Sequence, residues 1–371
     1  MKLGIDIRDL RIAQTGAKTY LSELSNAFKN ISSIEIVLLD TQKNVYKGNN
    51  KLFKIIEHLR FFGWKQFQLP RLAIKNNCTH LLCTDFFVPY FKKWNGHPLK
   101  TIAVLHDAFF WESPEHYNSL WLQLFHLIGV PAAKKADLLI VPTQYAKNRI
   151  LHFENFDPSK IKVVHEAAKT LPLLSQPEIQ LAQIAPSLVG QPYFLHVGVL
   201  EKRKNITTLL EAFSVVLKNN PAFKLVLVGN TPVKSKLNDE LAIQETIKRL
   251  QIENAIIRLG YLDAENLSSI YQSAFAYIFP SLNEGFGLPV LEAFNAGLPL
   301  ICANNSALPE VAEDAALYFD PLNINELASC MQQLISDTNL RQVLIQKGKL
   351  QFNKFSWTKA ATEISTSLLA L

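Results

Sequence analysis

The stretch Asn283-Glu284-Gly285-Phe286-Gly287-Leu288-Pro289-Val290-Leu291-Glu292 decides how this chain is read. The apolar run before it, Ala274 to Phe279, has the character of a buried parallel strand, and Val290 to Ala296 that of a helix, so the stretch is a strand-to-helix corner. Two glycines flanking an aromatic let backbone come close to a ligand, and Pro289 suits a first helical turn, where its missing N–H would have no partner anyway. The N–H groups of Phe286, Gly287 and Leu288 would face outward as an anion site at the positive end of the helix dipole. Glu284 lies in the loop and Glu292 eight residues on in the helix. Within one helix that spacing falls about 80° off a common face, so the two carboxylates converge only if the first precedes the helix.

On either side of this corner the chain alternates short apolar runs with amphipathic segments. Strands are predicted at Tyr193 to Val197, Lys224 to Val228, Ala255 to Leu259, Phe275 to Phe279, Pro299 to Ala303 and Ala316 to Phe319. Helical patterns lie between and after them, at Ile206 to Asn219, Lys234 to Leu250, Ala264 to Ser273, Pro289 to Asn295, Asn325 to Ser336 and Leu340 to Phe352. Upstream, strands are predicted at Lys2 to Ile7, Ile34 to Leu39, His80 to Cys83, Lys100 to Leu105, Asp137 to Val141 and Ile161 to Val164. Helices are predicted there at Thr19 to Asn30, Gly63 to Asn76, Asn118 to Lys135 and Gln144 to Glu154. Leu171 to Pro192 carries four prolines and breaks the periodicity, which sets a domain boundary. The α/β pattern predicts two doubly wound, Rossmann-like domains, residues 1–175 and 176–355, with a cleft at the carboxyl ends of their parallel sheets.

At 371 residues and 48% apolar content the chain can bury two cores. No apolar run approaches the roughly 18 residues of a membrane span. The start, Met1 to Arg8, reads as a charged strand rather than a signal peptide, so a cytoplasmic protein is expected. Cys78, Cys83, Cys302 and Cys330 form no C-x-x-C pair, which argues against a disulfide framework or a structural zinc. The net charge of +6 is unevenly divided: residues 1–185 hold 23 Lys and Arg against 15 acids, and residues 186–371 hold 15 against 17. Bases interleave with aromatics in Lys51 to Lys54, Arg60 to Phe67 and Phe91 to Trp94. That composition suits nucleic acid, anionic lipid or a solvated face over core aromatics; a peripheral membrane contact is carried forward and a nucleic-acid partner is not.

A second corner, Gly198-Val199-Leu200-Glu201-Lys202-Arg203-Lys204-Asn205, places three adjacent cations between a strand and a helix. Such cations repel unless solvated or matched by anions, and a ligand phosphate would match them, Arg203 bidentately and Lys204 as a point charge. Gln14-Thr15-Gly16-Ala17-Lys18-Thr19 is not a P-loop, because Arg11 stands where that motif needs glycine and Ala17 separates Gly16 from Lys18. His106-Asp107 ends a predicted parallel strand, where ligands bind. Thr143 suits a helix N-cap as well as an acceptor contact.

Together, the acid, the Gly-aromatic-Gly turn, the helix-starting proline and the Glu-x7-Glu spacing resemble the signature of the family-four retaining glycosyltransferases. The resemblance is close around the second domain's motifs and loose across the first domain. It implies a GT-B fold, two Rossmann-like domains facing across a cleft, with the segment 356–371 crossing back as a last helix to the first, acceptor-binding domain. It implies donor diphosphate contacts at Gly16, Arg203, Lys204, Gly287 and Leu288, and donor-sugar contacts at His106, Glu284, Gly285 and Phe286. It further implies nucleoside contacts at Tyr261, Leu262 and Glu292, and catalytic roles for Glu284 and His106. Val199 departs from the pattern, since many relatives have arginine there.

The expected activity is therefore transfer of a hexose, with retention, from a nucleotide-diphosphate sugar to a glycan or lipid-linked acceptor in surface-polysaccharide synthesis. Neither a cofactor nor a metal is expected, since no Asp-x-Asp occurs. Gly198 to Asn205 and Gly4-Ile5-Asp6 look most like mannosyltransferases, which implies GDP-mannose. Whether a glycosyl-enzyme forms is left open by the sequence. A sugar-nucleotide epimerase or a non-catalytic sugar-nucleotide-binding protein would share these sheets. A dehydrogenase would need a G-x-G-x-x-G after a strand, which is absent.

Overall fold

The computed structural model describes residues 1–11, 16–41, 44–46, 48, 50–90, 93–94, 96–169, 171–232 and 236–371. Gln14 and Thr15 of the glycine loop, Phe91 and Lys92 of the third basic stretch, and Lys234 at a predicted helix start lie outside the described residues. Two compact units result, Met1–Ala167 with Ser356–Leu371, and Ala168–Phe355.

The first unit is built on β1 (Lys2–Asp6), β2 (Glu35–Leu39), β3 (His80–Cys83), a small antiparallel ribbon of β4 (Lys93–Trp94) and β5 (His97–Pro98), then β6 (Lys100–Val104), β7 (Leu138–Val141) and β8 (Ile161–Val163). Its six main strands pair in parallel in the order β2-β1-β3-β6-β7-β8. The second unit holds β9 (Tyr193–Val197), β10 (Lys224–Val228), β11 (Ile256–Leu259), β12 (Ala276–Phe279), β13 (Leu300–Ala303) and β14 (Ala316–Phe319), parallel in the order β11-β10-β9-β12-β13-β14. Central strands such as β7, β10, β12 and β13 are near-continuous buried runs, because helices cover both faces and leave no solvated side to alternate with. Strand order reverses between β1 and β3 in one unit and between β9 and β12 in the other. Ligands bind at such reversals in doubly wound sheets, at the carboxyl ends.

Three expectations are corrected. The predicted helices Gly63 to Asn76 and Asn118 to Lys135 each contain a π turn, Trp64–Gln68 and Phe125–Gly129, before α-helix resumes at Leu69 and Val130. Pro70 and Pro131 follow directly; a proline inside a helix lacks an N–H and crowds the carbonyl four residues back, and the wider turn absorbs both effects. Upstream of the first of these, Lys51–Gly63 is itself a helix, capped by Asn50, whose Oδ1 accepts from the Leu52 N–H (2.9 Å). Third, Leu171 to Pro192 is not a bare linker: Pro177–Ile184 is a helix with Pro177 in its first turn, and its Pro177 carbonyl accepts from Ser269 Oγ (2.7 Å).

The helix Trp357–Leu369 belongs to the first unit, where Trp357 packs edge-on against Tyr20, ring centroids 5.5 Å apart. No helix among the described residues is long and apolar enough to cross a membrane.

Candidate functional site

Two loops leave the carboxyl ends of β9 and β12, at the reversal of the second sheet, and they are tied to each other. Asn205 sits in the left-handed region, φ +56°, which asparagine tolerates better than most residues. Its Nδ2 donates to the carbonyls of Pro280 (3.2 Å) and Pro321 (2.8 Å). The Leu282 N–H donates to the Arg203 carbonyl (2.8 Å). Backbone also approaches backbone closely here: at Gly229, φ +129°, an added Cβ would lie 2.0 Å from the Gly198 carbonyl oxygen, so only glycine fits.

These ties bring Arg203, Lys204 and Glu284 into one ion cluster. Lys204 Nζ donates to Glu284 Oε1 (2.6 Å), and Arg203 Nη1 lies 2.8 Å from Glu284 Oε2. Ser281 Oγ donates to the same carboxylate (2.6 Å). Arg203 also reaches Glu201 Oε1 through Nη2 (2.7 Å) and the Asn283 carbonyl through Nη1 (2.7 Å). Lys204 is buried, with its ammonium 5.1 Å from the centroid of the Phe279 ring. Burial alone would raise the Glu284 pKa, but Arg203 and Lys204 outweigh it and hold the carboxyl at about 2. Burial and Arg203 pull the Lys204 pKa down, with Glu284 opposing. Glu201 and Glu284 thus supply within the chain anions for the cations that the sequence reading matched with a ligand phosphate.

The helix Leu288–Asn295 follows the corner. Gly287, φ +100°, begins it without a side-chain cap, and an added Cβ there would stand 2.9 Å from Leu308 Cδ2. Phe286 is turned inward, its ring edge-on to Phe355 at 5.9 Å, so Gly285 and Phe286 offer backbone rather than an aromatic face. Glu292 does not join Glu284: its Oε2 accepts from the Tyr271 hydroxyl (2.9 Å). Burial raises the Glu292 pKa, and the Tyr271 hydrogen bond and the Lys169 charge oppose this. Tyr261 is 79% exposed after β11, two strands from the reversal, and Leu262 is half-buried beside it.

His196, on β9, is fully buried; its Nδ1–H donates to the Ile278 carbonyl (3.0 Å) and its Nε2 has no partner among the described residues. Burial pulls its pKa to about 4.

In the first unit, His106 follows β6 and its Nδ1–H donates to Glu166 Oε1, 3.0 Å away just beyond β8. Tyr20 packs edge-on to the imidazole at 4.7 Å. Burial pulls the His106 pKa down, but the Glu166 hydrogen bond and charge outweigh this and raise it. Its Nε2 has no hydrogen-bond partner among the described residues. Asp107 accepts from the Phe109 N–H (3.0 Å), at the start of the short helix Phe109–Glu112. Thr143 is a buried N-cap, accepting from the Ala146 N–H (3.0 Å). Gly16 begins the helix Gly16–Phe28.

At the reversal of the first sheet stands Lys65, expected on a basic surface and instead buried. Its ammonium lies 2.6 Å from Asp6 and 2.7 Å from Asp85, and the neighbouring Trp64 donates from Nε1 to Asp6 (3.1 Å). Among the described residues no group of three or more His, Cys, Asp or Glu is arranged to hold a metal ion.

A model of glycosyl transferases group 1 matches residues 179–351, and one of glycosyltransferase family 4 matches residues 16–170. The chain belongs to glycosyltransferase family four. Among its relatives is O-antigen chain mannosyltransferase B of Escherichia coli, 27% identical over 270 residues, covering 71% of this chain and 68% of that protein. The serotype-specific mannosyltransferase WbdA of Escherichia coli is 26% identical over 270 residues, covering 71% of this chain, which spans only 32% of WbdA. The Anabaena protein HepE, solved in complex with UDP-glucose, superposes with a TM-score of 0.74 at 17% identity, each chain fully covered. That likeness, with the two six-stranded parallel sheets, makes this glycosyltransferase a two-domain GT-B protein.

Sequence reasoning missed Glu201, Ser281, Tyr271 and Glu166 as partners of the residues it singled out. Glu201 and Ser281 sat in plain view beside the motifs, and Glu166 follows a predicted parallel strand, where ligand-facing residues gather. Tyr271 carries no such signal, because it comes from the last turn of an ordinary amphipathic helix.

Proposed function

We propose that this glycosyltransferase is a metal-independent, retaining enzyme that moves mannose from GDP-mannose to a hydroxyl of a glycan or lipid-linked acceptor during surface-polysaccharide assembly. The observation that carries the reading is the ion cluster of half-buried Arg203 with buried Lys204 and Glu284 at the reversal of the second sheet. In this reading the donor's anomeric C–O bond breaks and its electron pair stays on the departing β-phosphate. Arg203, Lys204 and the N-terminus of the helix Leu288–Asn295 stabilise that charge, in place of a divalent ion. The acceptor hydroxyl adds to the same face of the sugar, and its proton passes to the leaving phosphate. Glu284, released from the two cations by the arriving diphosphate, takes hydroxyls of the sugar. Glu292 accepts from the ribose hydroxyls, which two carboxylate oxygens can do together, with Tyr261 and Leu262 along the base. Gly16 and His106 keep the diphosphate and sugar roles that the family resemblance gives them.

Mannose is supported by the mannosyltransferase names of the relatives, and GDP by the resemblance of Gly198 to Asn205 and Gly4-Ile5-Asp6 to mannosyltransferases; HepE, at 17% identity, speaks for the fold alone. A thermal-shift panel of GDP-, UDP-, dTDP- and ADP-sugars tests the donor. Ligand at 100 times its dissociation constant stabilises by about 2.7 kcal/mol, and a response confined to a nucleotide other than GDP overturns the assignment. Activity with excess chelator should equal that with magnesium, and the anomeric configuration of the product, read by NMR, should match that of the donor.

A further inference from the structure

The helix Lys51–Gly63 carries Leu52, Ile55, Ile56 and Leu59 at the spacing that places apolar residues on one stripe, with Phe53 at its margin. A globular protein normally turns such a stripe inward. Here all five side chains stand between 40% and 67% exposed. What the helix turns inward is Phe61 and Phe62, packed against the core, and Glu57, which accepts from Arg8 Nη2 (2.7 Å).

The sequence on either side of the stripe carries a surplus of one sign. Residues 41–84 hold eight Lys and Arg against the single acid Glu57, a surplus larger than the net charge of the whole chain. That acid is mostly buried and paired with Arg8 and Arg60, while Lys65, the one buried among the described bases of this segment, is held by Asp6 and Asp85. The stripe is therefore apolar, on a helix whose described bases, Lys54 and Arg60, are exposed and whose single acid is already paired.

We propose that this helix docks the protein on an anionic lipid bilayer, lying in the interface with its outward stripe at the acyl boundary and the surrounding bases among the lipid phosphates. Thirteen residues make a helix of about 20 Å, too short for a hydrocarbon core of about 30 Å, so it lies along the surface. Charge selects lipid over a second copy of this chain, because a two-fold contact through this face would set the same basic segment against itself. The inference rests on the reading above for its purpose: a lipid-linked acceptor is held at the same surface.

The test is flotation of the full chain with vesicles of phosphatidylcholine alone and of phosphatidylcholine with phosphatidylglycerol, at low and high salt. Each base near an anionic surface is worth roughly a fivefold gain in partition, screened by salt, so wild type should prefer the anionic vesicles by at least about tenfold at low salt. The variant L52Q/I55Q/L59Q should partition at least about 100-fold less, since it withholds three large apolar side chains from the membrane. A control, V215Q/L241Q, alters exposed apolar residues of the second unit and should float like wild type. Equal binding to both vesicle types, no binding at low salt, or a triple variant that floats like wild type overturns the proposal. So does a wild-type dimer in light scattering that the triple variant converts to monomer. GDP binding, measured on the same preparations, separates the two readings: a triple variant that binds GDP but does not float is folded, and wild type that floats without binding any nucleotide sinks the transferase reading alone.

Discussion

Replacing Glu284 by glutamine should weaken the fold and strengthen the binding of a bare nucleoside diphosphate. In the structure this carboxylate neutralises Arg203 and Lys204, the two cations proposed above to hold the diphosphate, so in that reading anion and ligand compete for the same partners. Holding the carboxyl at about 2 against an ordinary 4.5 corresponds to roughly 3 kcal/mol of stabilisation of its ionised form. The variant should lose about 2–3 kcal/mol at neutral pH, because the amide keeps a hydrogen bond but leaves the buried Lys204 ammonium without its charged partner. For a unit of this size that lowers Tm by about 5–10 °C. The sign in pH follows from the depressed carboxyl: wild type's advantage is complete above about 4.5 and fades as pH falls toward 2. A diphosphate that enters the variant restores the missing anion without displacing one, so GDP or UDP should bind at least about tenfold more tightly, a gain of about 1.4 kcal/mol bounded by the stability lost. Calorimetry on both proteins reads the affinities and a thermal melt reads the fold. A folded variant that binds nucleoside diphosphate no better than wild type refutes the competition.

Tyr271→Phe removes the hydroxyl that donates to Glu292, so the Glu292 pKa should rise further, stability should fall by about 1–2 kcal/mol, and nucleotide affinity should become more acid-sensitive; carboxyl NMR and calorimetry check these. Glu166→Gln should lower the His106 pKa, which Glu166 holds above 6.5, and NMR titration of the ring reads it. Because that pKa is raised, the pair's contribution to stability is complete below 6.5 and disappears as pH climbs through the raised value, so the variant's deficit should be largest in acid. Gly229→Ala should cost more than about 2 kcal/mol and weaken donor binding, since its Cβ must push the Gly198 carbonyl and the basic loop behind it; a Tm equal to wild type would show that the loops are not locked together there.

The strands were legible because parallel strands buried on both faces leave runs such as Lys224 to Val228 and Leu138 to Val141, which no surface helix shows. Helices were legible where one apolar stripe met one core. That logic breaks in the first unit. Lys51–Gly63 turns its main stripe outward, and among basic and aromatic neighbours it read as a surface patch rather than an element. Lys65 could not be placed from sequence because its partners, Asp6 and Asp85, come from the ends of two other strands, 59 residues before it and 20 after.

The site divides along the same line. In the second unit the corners after β9 and β12 each compress their chemistry into one contiguous stretch, and adjacency in the sheet then brings the two stretches together, so Arg203, Lys204 and Glu284 were readable from local motifs. What the motifs could not show is that Glu284 pairs with these cations, since three adjacent cations are equally compatible with an external anion or an internal one. The distinction has a physical consequence. A site whose cations are already paired is stable when empty and must exchange one anion for another on binding, whereas a site of unpaired buried cations would depend on its ligand to fold. The first unit spreads its polar groups over the ends of β1, β3, β6 and β8, with one or two chemistry-bearing side chains on each. The His106–Glu166 pair therefore appears only once the sheet order is known, because β6 and β8 flank β7 and deliver both residues beyond the same edge.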